Sequence, residues 1–386
     1  MKSLNKLFIV LTLLSAMSFQ SNTITATANA TQVSSKNNYL ITIKDDKNLD
    51  YFVSKYNLDK EKKRPYSKTM SVELTLNEAE RMKQDETIKY IESNNVVTID
   101  TITKQVTEYK NKEISNTQVI PWGIHAIGAD LTNSKKEEGK NIKVAVLDTG
   151  VSVHEDLKVA GGVNILDNTS SYLDDNGHGT HVAGTITAKN NLYGVVGAAP
   201  EVDLYAVKVL DSNGNGDYAR IIQGIDWCIE NKINIISMSF SGTSESDALH
   251  SEIQKAYSKG ILLISSIGNT GNDNINYPSI YSEVLSVGAV DSSLNVAQYS
   301  SRGAALDIVA PGTDVLSTTL NNKYGYMSGT SMAVPHVTGA AAAVWSSNKN
   351  MTNDELKNRL LETATPKGDA VDYGYGILNL AKALGI

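Results

Sequence analysis

The hydrophobic positions of the chain change their spacing near residue 120. Before that point, short runs in which apolar and polar residues alternate, at 39–43 and 70–76, predict half-buried strands. Residues 77–83 predict a helix with Asn77 as its N-cap, and 96–99 predicts a closing strand. Together these elements predict a small α+β domain in which helices pack on an antiparallel sheet.

After residue 120 the apolar runs are nearly continuous and alternate with helical stretches. Strands with few polar interruptions are typical of parallel sheets, because such sheets are buried on both faces. The predicted strands are 143–147, 202–209, 233–238, 261–265 and 284–290, and the predicted helices are 178–189, 217–230 and 244–258. This order predicts an α/β fold with a mainly parallel central sheet flanked by helices.

The first thirty residues have the three parts of a secretory signal peptide. Lys2 and Lys6 precede an apolar run at 7–19, and small residues follow as far as Ala28 and Ala30. We expect cleavage after Ala30, or alternatively after Ala28, and a secreted, extracellular mature protein. The run is too short for a permanent membrane anchor, and no later run is apolar for long enough to span a bilayer.

The distribution of glycine indicates a domain boundary near residue 120. The first glycine is Gly123, and all 28 glycines lie from there onward. Residues 101–116 are polar and predict an exposed, protease-sensitive linker. We therefore expect a signal peptide at 1–30, a small domain at 31–115 and a large α/β domain at 116–386.

Charge and cysteine content exclude some function classes. The net charge is −7, so the chain has no overall basic field and nucleic acid is not an expected partner. Cys228 is the only cysteine and cannot form an internal disulfide. Its place in a predicted helix favours a small buried residue over a catalytic thiol.

Three segments carry candidate chemistry. Asp148 directly follows a predicted strand, where functional carboxylates gather in α/β folds, although an aspartate before glycine also suits a turn. His178 lies between glycines, and His181 three residues later raises the alternative of a zinc site. Zinc peptidases usually have a glutamate after the first histidine, where this chain has Gly179. Ser331 stands at the start of a predicted helix that runs to about residue 345. Two interpretations are open: Ser331 is the N-cap of this helix, or it is a nucleophile beside the free backbone amides of the helix start.

These segments read AVLDTGV, NGHGTHVAGT and GTSMAVPHVTG, and they occur in the order Asp, His, Ser. In this the chain resembles the subtilisin family over residues 118–380. The resemblance implies a serine endopeptidase with Ser331 as nucleophile, His178 as general base and Asp148 as the residue that orients the imidazole. Residues 31–113 resemble the family's inhibitory propeptide.

The resemblance also implies roles for residues outside the three motifs. Asn269 aligns with the oxyanion-hole asparagine, although Ile267 replaces a residue that is usually small. Substrate would pair with the strand Ser239, Phe240, Ser241 and Gly242. Asn276 aligns with the floor of the pocket for the side chain before the scissile bond, where a larger polar residue would shorten the pocket or change its preference.

A calcium loop and self-processing are further implications of the resemblance. The matching oxygen ligands are of the mixed type that suits structural Ca²⁺, and they come from Gln118, Asp156, Lys189, Asn191, Tyr193 and Val195. Self-cleavage is expected between Tyr109 and Asn116, with the propeptide as intramolecular inhibitor, polypeptides as substrates and a monomer as the default state. A narrow-specificity maturation peptidase and a pseudoenzyme acting as a binding protein are the alternatives to a general endopeptidase.

Overall fold

The computed structural model describes residues 35–59, 67–99, 101–105, 117–134, 138–167 and 171–386. The described residues form two compact units, one from 35–59 and 68–94 and the other from residue 67 and the chain from 95 onward. The predicted signal peptide at 1–30 and the predicted cleavage stretch at 109–116 lie outside the described residues. Within the described ranges, no helix is both long and apolar enough to cross a membrane.

The first unit is a small α+β fold, as its hydrophobic pattern predicts. Its three-stranded antiparallel sheet has the order β2-β1-β3, and side chains such as Phe52, Met70 and Leu74 form its core. The elements are β1 (Lys36–Ile43), α1 (Leu49–Lys55), β2 (Thr69–Thr75), α2 (Leu76–Met82) and β3 (Ile88–Ser93).

The start of α2 differs from the prediction. Thr75, not Asn77, is the N-cap: its hydroxyl accepts a hydrogen bond from the amide of Glu78, whose carboxylate accepts one from the amide of Thr75 at 2.8 Å. This reciprocal arrangement is a capping box, and it satisfies two amides that an Asn77 cap would leave open. The prediction of Asn77 as the cap is therefore wrong.

The second unit is built around a seven-stranded parallel sheet of order β14-β13-β12-β10-β6-β8-β7. The strands of the unit are β4 (Val96–Ile99), β5 (Thr103–Gln105), β6 (Lys143–Asp148), β7 (Val159–Asn164), β8 (Asp203–Lys208), β9 (Asn215–Asp217), β10 (Ile235–Met238), β11 (Phe240–Ser241), β12 (Leu262–Ser266), β13 (Val284–Val290), β14 (Ile308–Pro311), β15 (Val315–Thr319) and β16 (Lys323–Ser328). The predicted α/β fold with a mainly parallel sheet is confirmed.

Helices flank this sheet. They are α3 (Trp122–Ala126), α4 (His178–Thr187), α5 (Tyr218–Glu230), α6 (Asp247–Ser258), α7 (Thr330–Ser347), α8 (Asn353–Glu362), α9 (Ala370–Tyr373) and α10 (Leu380–Leu384), with short 3₁₀ turns at Ala129–Ser134 and Leu320–Asn322. Val144 and Val146 of β6 join the core that contains α4 and α7, whereas Leu147 lies against α5, since a Cβ at Gly224 would come within 3.3 Å of it. Because side chains alternate along a strand, α5 covers the opposite face from α4 and α7.

Two short antiparallel sheets lie outside the central one. In the first, β4 lies between β11 and β9, so the prediction that 96–99 closes the sheet of the first domain is wrong about its partners. In the second, β5 pairs with β16, so the predicted linker at 101–116 contains a strand. A strand pattern indicates pairing ability but carries no information about a partner more than a hundred residues away.

Candidate active site

Asp148 is the last residue of β6, between β10 and β8, and its side chain is fully buried. Its carbonyl oxygen accepts hydrogen bonds from the amides of Val209 and Leu210 at 3.0 and 3.1 Å, which fixes the end of the strand. Its carboxylate accepts a hydrogen bond from the amide of Thr149 at 2.7 Å. The carboxylate is thus held at the carboxyl end of a central strand, where ligands bind in open α/β sheets.

His178 is the first residue of α4, and its ring meets this carboxylate. Its Nδ1 lies 2.8 and 3.0 Å from the two carboxylate oxygens of Asp148. The close approach depends on Gly179, since a Cβ there would lie 2.1 Å from the carbonyl oxygen of Gly150. The opposite ring nitrogen, Nε2, is buried and has no hydrogen-bond partner within the described part of the chain. It is therefore available to a proton donor.

Asp174 connects the two segments that carry Asp148 and His178. One of its oxygens accepts hydrogen bonds from the Thr149 hydroxyl and the Gly177 amide, both at 2.9 Å. The other accepts from the amide and the hydroxyl of Thr180, at 3.0 and 2.6 Å. Sequence analysis missed this residue. Its position four residues before His178 is a weak signal, because an aspartate in a loop is ordinary.

Ser331 is the second residue of α7, after Gly329, whose φ of 154° only glycine readily adopts. Its hydroxyl donates a hydrogen bond to the carbonyl oxygen of Ser239 at 2.9 Å, and the Ser239 hydroxyl donates to the Ser331 carbonyl at 3.0 Å. The hydroxyl of Ser331 is therefore turned to Ser239 and is not hydrogen-bonded to His178 in this structure. Helices α4 and α7, which carry the two residues, pack against each other.

Asn269 lies beside this helix start, three residues after β12. Its Oδ1 accepts hydrogen bonds from the amide and the hydroxyl of Thr330, both at 3.0 Å, which fixes the orientation of the side-chain amide. Its Nδ2 is buried and has no partner among the residues that the structure describes. A buried amide donor without an acceptor is rare in folded proteins, which makes this nitrogen a candidate donor to a ligand oxygen.

The predicted substrate strand follows β10. Ser239 joins β10 to β11, which contains Phe240 and Ser241, and Gly242 pairs with Tyr277 through two backbone hydrogen bonds of 2.9 Å. On the other edge of β11 lies β4, in antiparallel register. The strand therefore has a backbone edge that accepts an extended chain.

Asn276 lies next to this strand. Its Nδ2 donates a hydrogen bond to the Ser241 hydroxyl at 3.0 Å, and a Cβ at Gly268 would come within 2.7 Å of that nitrogen. The side chain thus spans the space between Ser241 and the loop of Asn269. Ile267, the departure from the family pattern, is fully buried and packs with Val290 and Val309.

Four of the predicted calcium ligands meet at one point. The Nε2 of Gln118 lies 2.7 Å from the carbonyl oxygen of Lys189, 3.3 Å from that of Val195 and 3.5 Å from the Oδ1 of Asn191. Amide nitrogen and oxygen are interchangeable by a flip of the side chain. A flipped Gln118 would present its oxygen to the other three, and an all-oxygen set of this kind suits Ca²⁺.

The other two predicted ligands border the same loop. The carboxylate of Asp156 accepts hydrogen bonds from the Asn191 side chain at 3.0 Å and the Val195 amide at 2.9 Å. Burial raises the pKa of Asp156, and these hydrogen bonds oppose the shift. Tyr193 contributes its backbone amide, which donates to the Oδ1 of Asn191 at 2.9 Å. The donor chemistry fits a hard cation.

The structure does not support the alternatives of a zinc site at His178 and His181 or of a catalytic thiol at Cys228. The Nε2 of His181 lies 2.9 and 3.2 Å from the carbonyl oxygens of Val315 and Gly325, and burial lowers the pKa of His181 to about 3. Among the described residues, no group of three or more His, Cys, Asp and Glu side chains could hold a metal. Cys228 is buried, and burial raises the pKa of its thiol.

A buried Asp–His pair at a strand end, a serine at a helix start and an orphaned amide donor beside it are the parts of a serine hydrolase. The "Subtilase family" model matches residues 139–377. The chain belongs to the subtilase family and is a serine endopeptidase.

Named relatives agree with this assignment. The chain is 44% identical over 311 residues to the "Thermostable alkaline protease" of Halalkalibacterium halodurans, covering 81% of each chain. It is 46% identical over 271 residues to "Subtilisin DY" of Bacillus licheniformis, covering 69% of this chain and 99% of that one. It is 41% identical over 314 residues to the "M-protease" of Shouchella clausii, covering 81% and 78%.

Proposed function

We propose that this endopeptidase works through Asp148, His178 and Ser331 and an acyl-enzyme. The observation that carries the proposal is the Asp148–His178 hydrogen bond of 2.8 Å, which leaves the Nε2 of His178 buried and free to take a proton. The Ser331 hydroxyl turns from Ser239 to His178, loses its proton to the ring and attacks the scissile carbonyl. Asp148 holds the imidazole tautomer and stabilises the imidazolium.

The negative oxygen of the tetrahedral intermediate needs donors that are in place beforehand. The Nδ2 of Asn269 is one, since Thr330 fixes its direction and nothing among the described residues accepts its hydrogen. The backbone amide of Ser331, at the start of α7, is the other. Both donors are fixed before the reaction, so no energy is lost in reorienting them when the charge develops.

Polypeptide substrates would bind as an added strand. The pairing of β4 with both β9 and β11 supports this mode, since it demonstrates that an extended segment fits between these two edges. Recognition by main-chain hydrogen bonds accepts many sequences, and side-chain pockets then set the preference. Ser239, Phe240, Ser241 and Gly242 would supply one edge.

We also propose that the protein is secreted, is made as an inactive precursor and acts as a monomer. The basic and apolar pattern of residues 1–30 supports export. Residues 31–115 would act as inhibitor and folding template, since large parallel sheets fold slowly and expose apolar surface while they do so.

Gln118, Asp156, Lys189, Asn191, Tyr193 and Val195 would hold a structural Ca²⁺. The convergence of three oxygens on the Gln118 amide supports this proposal. The ion would supply no chemistry to the reaction. It would stabilise the folded state because it binds that state alone.

A fluorophosphonate probe tests the roles of the catalytic residues. Mature protein should be labelled at Ser331, and the Ser331→Ala precursor should stay uncleaved. The control Ser293→Ala changes an exposed serine and should behave like the parent. Labelling at another serine, or a Ser331→Ala precursor that still matures by itself, would contradict the proposal.

A narrow-specificity maturation peptidase is the second candidate. The hydrogen bond between Asn276 and Ser241 favours it, because this contact narrows the space beside the substrate strand. Digestion of a mixed peptide library separates the two functions. Cuts after many residue types indicate a general endopeptidase, and cuts at a single motif indicate a maturation enzyme.

A further inference from the structure

A buried lysine lies beside the candidate active site, and the proposed mechanism does not use it. Lys208 is the last residue of β8, and only 4% of its side chain is exposed. Within the described ranges, it is the only lysine or arginine that is buried. Burial of a charge is costly unless the charge is paired and hydrogen-bonded. The partners of Lys208 therefore indicate its role.

The ammonium of Lys208 has three hydrogen-bond acceptors, which come from three different loops. It donates to the carbonyl oxygen of Thr149, after β6, at 2.6 Å and to that of Leu210, after β8, at 3.0 Å. It also donates to the carboxylate of Asp175, in the loop before α4, at 2.7 Å. An ammonium has three hydrogens, so this set uses all of them and fixes the end of the side chain. Lys208 thus joins the three loops at one point.

Two of these loops hold Asp148. Lys208 and Asp148 are register partners at the ends of the adjacent strands β8 and β6. The amide of Thr149 donates to the Asp148 carboxylate at 2.7 Å, and the amide of Leu210 donates to the Asp148 carbonyl oxygen at 3.1 Å. Lys208 therefore holds, through their carbonyl groups, two residues whose amides fix Asp148.

The third loop leads to His178. Asp175 lies three residues before it, and the Oδ1 of the next residue, Asn176, accepts a hydrogen bond from the His178 amide at 3.2 Å. The side-chain amide of Asn176 donates in turn to the carbonyl oxygen of Ser212, in the loop after β8, at 2.9 Å. Lys208 and Asn176 thus both tie the loop that precedes His178 to the end of β8 and the loop beyond it.

We propose that Lys208 is a positioning residue, which sets the orientation of Asp148 relative to His178. This inference rests on the proposed roles of Asp148, His178 and Ser331 in the reaction. Lys208 acts on the pair through the three loops that its ammonium joins. A displacement of about 1 Å in a catalytic group can lower a rate about 100-fold. The loss of this junction should therefore slow the reaction itself.

The variant Lys208→Met tests this role, because methionine is also a long, unbranched side chain but lacks the ammonium. We expect kcat per active site, counted by labelling to completion with a fluorophosphonate probe, to fall about 10- to 100-fold, with KM within about twofold. A residue that supported only the stability of the fold would lower the Tm and leave kcat per labelled site unchanged. The matched control Lys158→Met changes an exposed lysine and should keep the kcat of the parent. A parent-like kcat in Lys208→Met, or a rise in KM alone, would overturn the proposal.

A second measurement follows the Asp148–His178 hydrogen bond without turnover. The proton in this hydrogen bond should give a low-field NMR signal, which is recorded in a Ser331→Ala background to prevent self-digestion. We expect Lys208→Met to shift or broaden the signal and Lys158→Met to leave it in place. The same signal in both variants would mean that the pair does not depend on Lys208, and the proposal would be wrong.

Asp175 offers a test that does not disturb the core, because 55% of its side chain is exposed. Asp175→Ala removes one of the three acceptors and should lower kcat about two- to fivefold at unchanged KM. Asp175→Asn keeps an acceptor oxygen and should recover most of this loss. If Lys208→Met does not fold, this pair decides the question, and a parent-like kcat in Asp175→Ala counts against the role of Lys208.

Labelling of the parent protein separates this inference from the proposed function. If the parent is labelled at Ser331 and Lys208→Met keeps its kcat, only the role of Lys208 is refuted. If the parent is not labelled at Ser331, the proposed function fails and this inference fails with it.

Discussion

In the proposed mechanism, Asn269 is a side chain prepared for a charge that exists only during the reaction. Its Oδ1 accepts hydrogen bonds from the amide and the hydroxyl of Thr330, and its buried Nδ2 has no hydrogen-bond partner in the described part of the structure. An unpaired buried donor is unfavourable in the resting enzyme. In the proposed mechanism the same donor becomes favourable when an oxyanion forms beside it.

We expect Asn269→Ala to lower kcat by about 10²–10³ with little change in KM, a figure taken from the loss of such a donor in subtilisin itself, a member of this family. Kinetics on a chromogenic peptide would measure the effect. Asn274→Ala, in the same loop, is the control and should leave kcat unchanged. Equal losses in both variants would indicate that the loop is disturbed and that no oxyanion donor was removed.

Asn276 is the residue where specificity is expected to differ from relatives. Asn276→Gly removes the amide that bonds to Ser241 and opens space beside the substrate strand. We expect kcat/KM for peptides with a large apolar side chain before the scissile bond to rise about tenfold, a typical effect of pocket size. A peptide-library profile measures this, and an unchanged preference, equal to that of Asn274→Gly, would contradict it.

The sequence predicts the candidate catalytic residues but not the hydrogen-bond network around them. Asp148, His178 and Ser331 stand in motifs long enough to be unmistakable. The bonds of Asp174 to Thr149 and Thr180 depend on two loops meeting in space, and a list of residues does not contain that information. The direction of the Ser331 hydroxyl is a rotamer choice and is equally invisible in sequence.

At the scale of elements, the buried strands are predicted well and the edge strands are missed. Strand β13 has the predicted bounds, Val284–Val290, because a mostly apolar run of this length, next to turn residues, is typical of a buried strand. Strand β7 contains two glycines and is half-exposed, and β14 ends in a proline. Both are edge strands of the sheet, where one side of the strand has no backbone ladder to complete and glycine or proline is tolerated.

Helices α5 and α6 share a partly buried cluster of charges that should make stability depend on pH. The ammonium of Lys255 lies 2.6 Å from Asp226 and 3.0 Å from Glu252. Burial, with the nearby charge of Asp226, raises the pKa of Glu252 to about 8. Because the folded state holds this proton more tightly than the unfolded chain, stability should fall as pH rises from about 4.5 to about 8.

We expect Glu252→Gln to remove this decline, since glutamine mimics the protonated carboxyl. Relative to the parent, the variant should become steadily more stable as the pH rises from 5 to 8, since each pH unit below the raised pKa corresponds to at most about 1.4 kcal/mol. Thermal melts in a Ser331→Ala background avoid self-digestion. Glu230→Gln, exposed on α5, is the control, and equal pH profiles for both variants would refute the assignment.

At the scale of the whole molecule, the candidate site gathers residues from distant parts of the chain. Asp148 ends one parallel strand and Asn269 follows another, while His178 and Ser331 lie in the first turns of helices. Parallel strands place their carboxyl ends and the following helix starts at one edge of the sheet, so the fold itself assembles the site. This assembly could be predicted from sequence once the strands were placed.

The partners of β4 could not be predicted in this way. Residues 96–99 are a short apolar strand of ordinary composition, and their pairing with β9 and β11 depends on backbone edges that form only when the second unit is folded. Antiparallel pairing through main-chain groups leaves little trace in side chains.

Cys228 is the only cysteine, so no internal disulfide stabilises the chain and its stability must come from other interactions. A bound Ca²⁺ at the Gln118 loop would contribute by mass action, about 2.7 kcal/mol when its concentration is one hundred times the Kd. We expect Ca²⁺ to raise the Tm of the Ser331→Ala protein above its value in EDTA, and Mg²⁺ to raise it much less, because Mg²⁺ prefers a smaller, octahedral and partly hydrated site.

Asn191 and its neighbour Asn190 provide a test variant and a matched control for this prediction. The Oδ1 of Asn191 faces the Gln118 amide, whereas the side chain of Asn190 bonds to Glu138 at the surface. Asn191→Ala should therefore abolish most of the Ca²⁺-dependent rise in Tm, and Asn190→Ala should keep it. If the parent protein melts at the same temperature in Ca²⁺ and in EDTA, or if Asn191→Ala keeps the full rise, the loop does not bind the ion and the core alone sustains the fold.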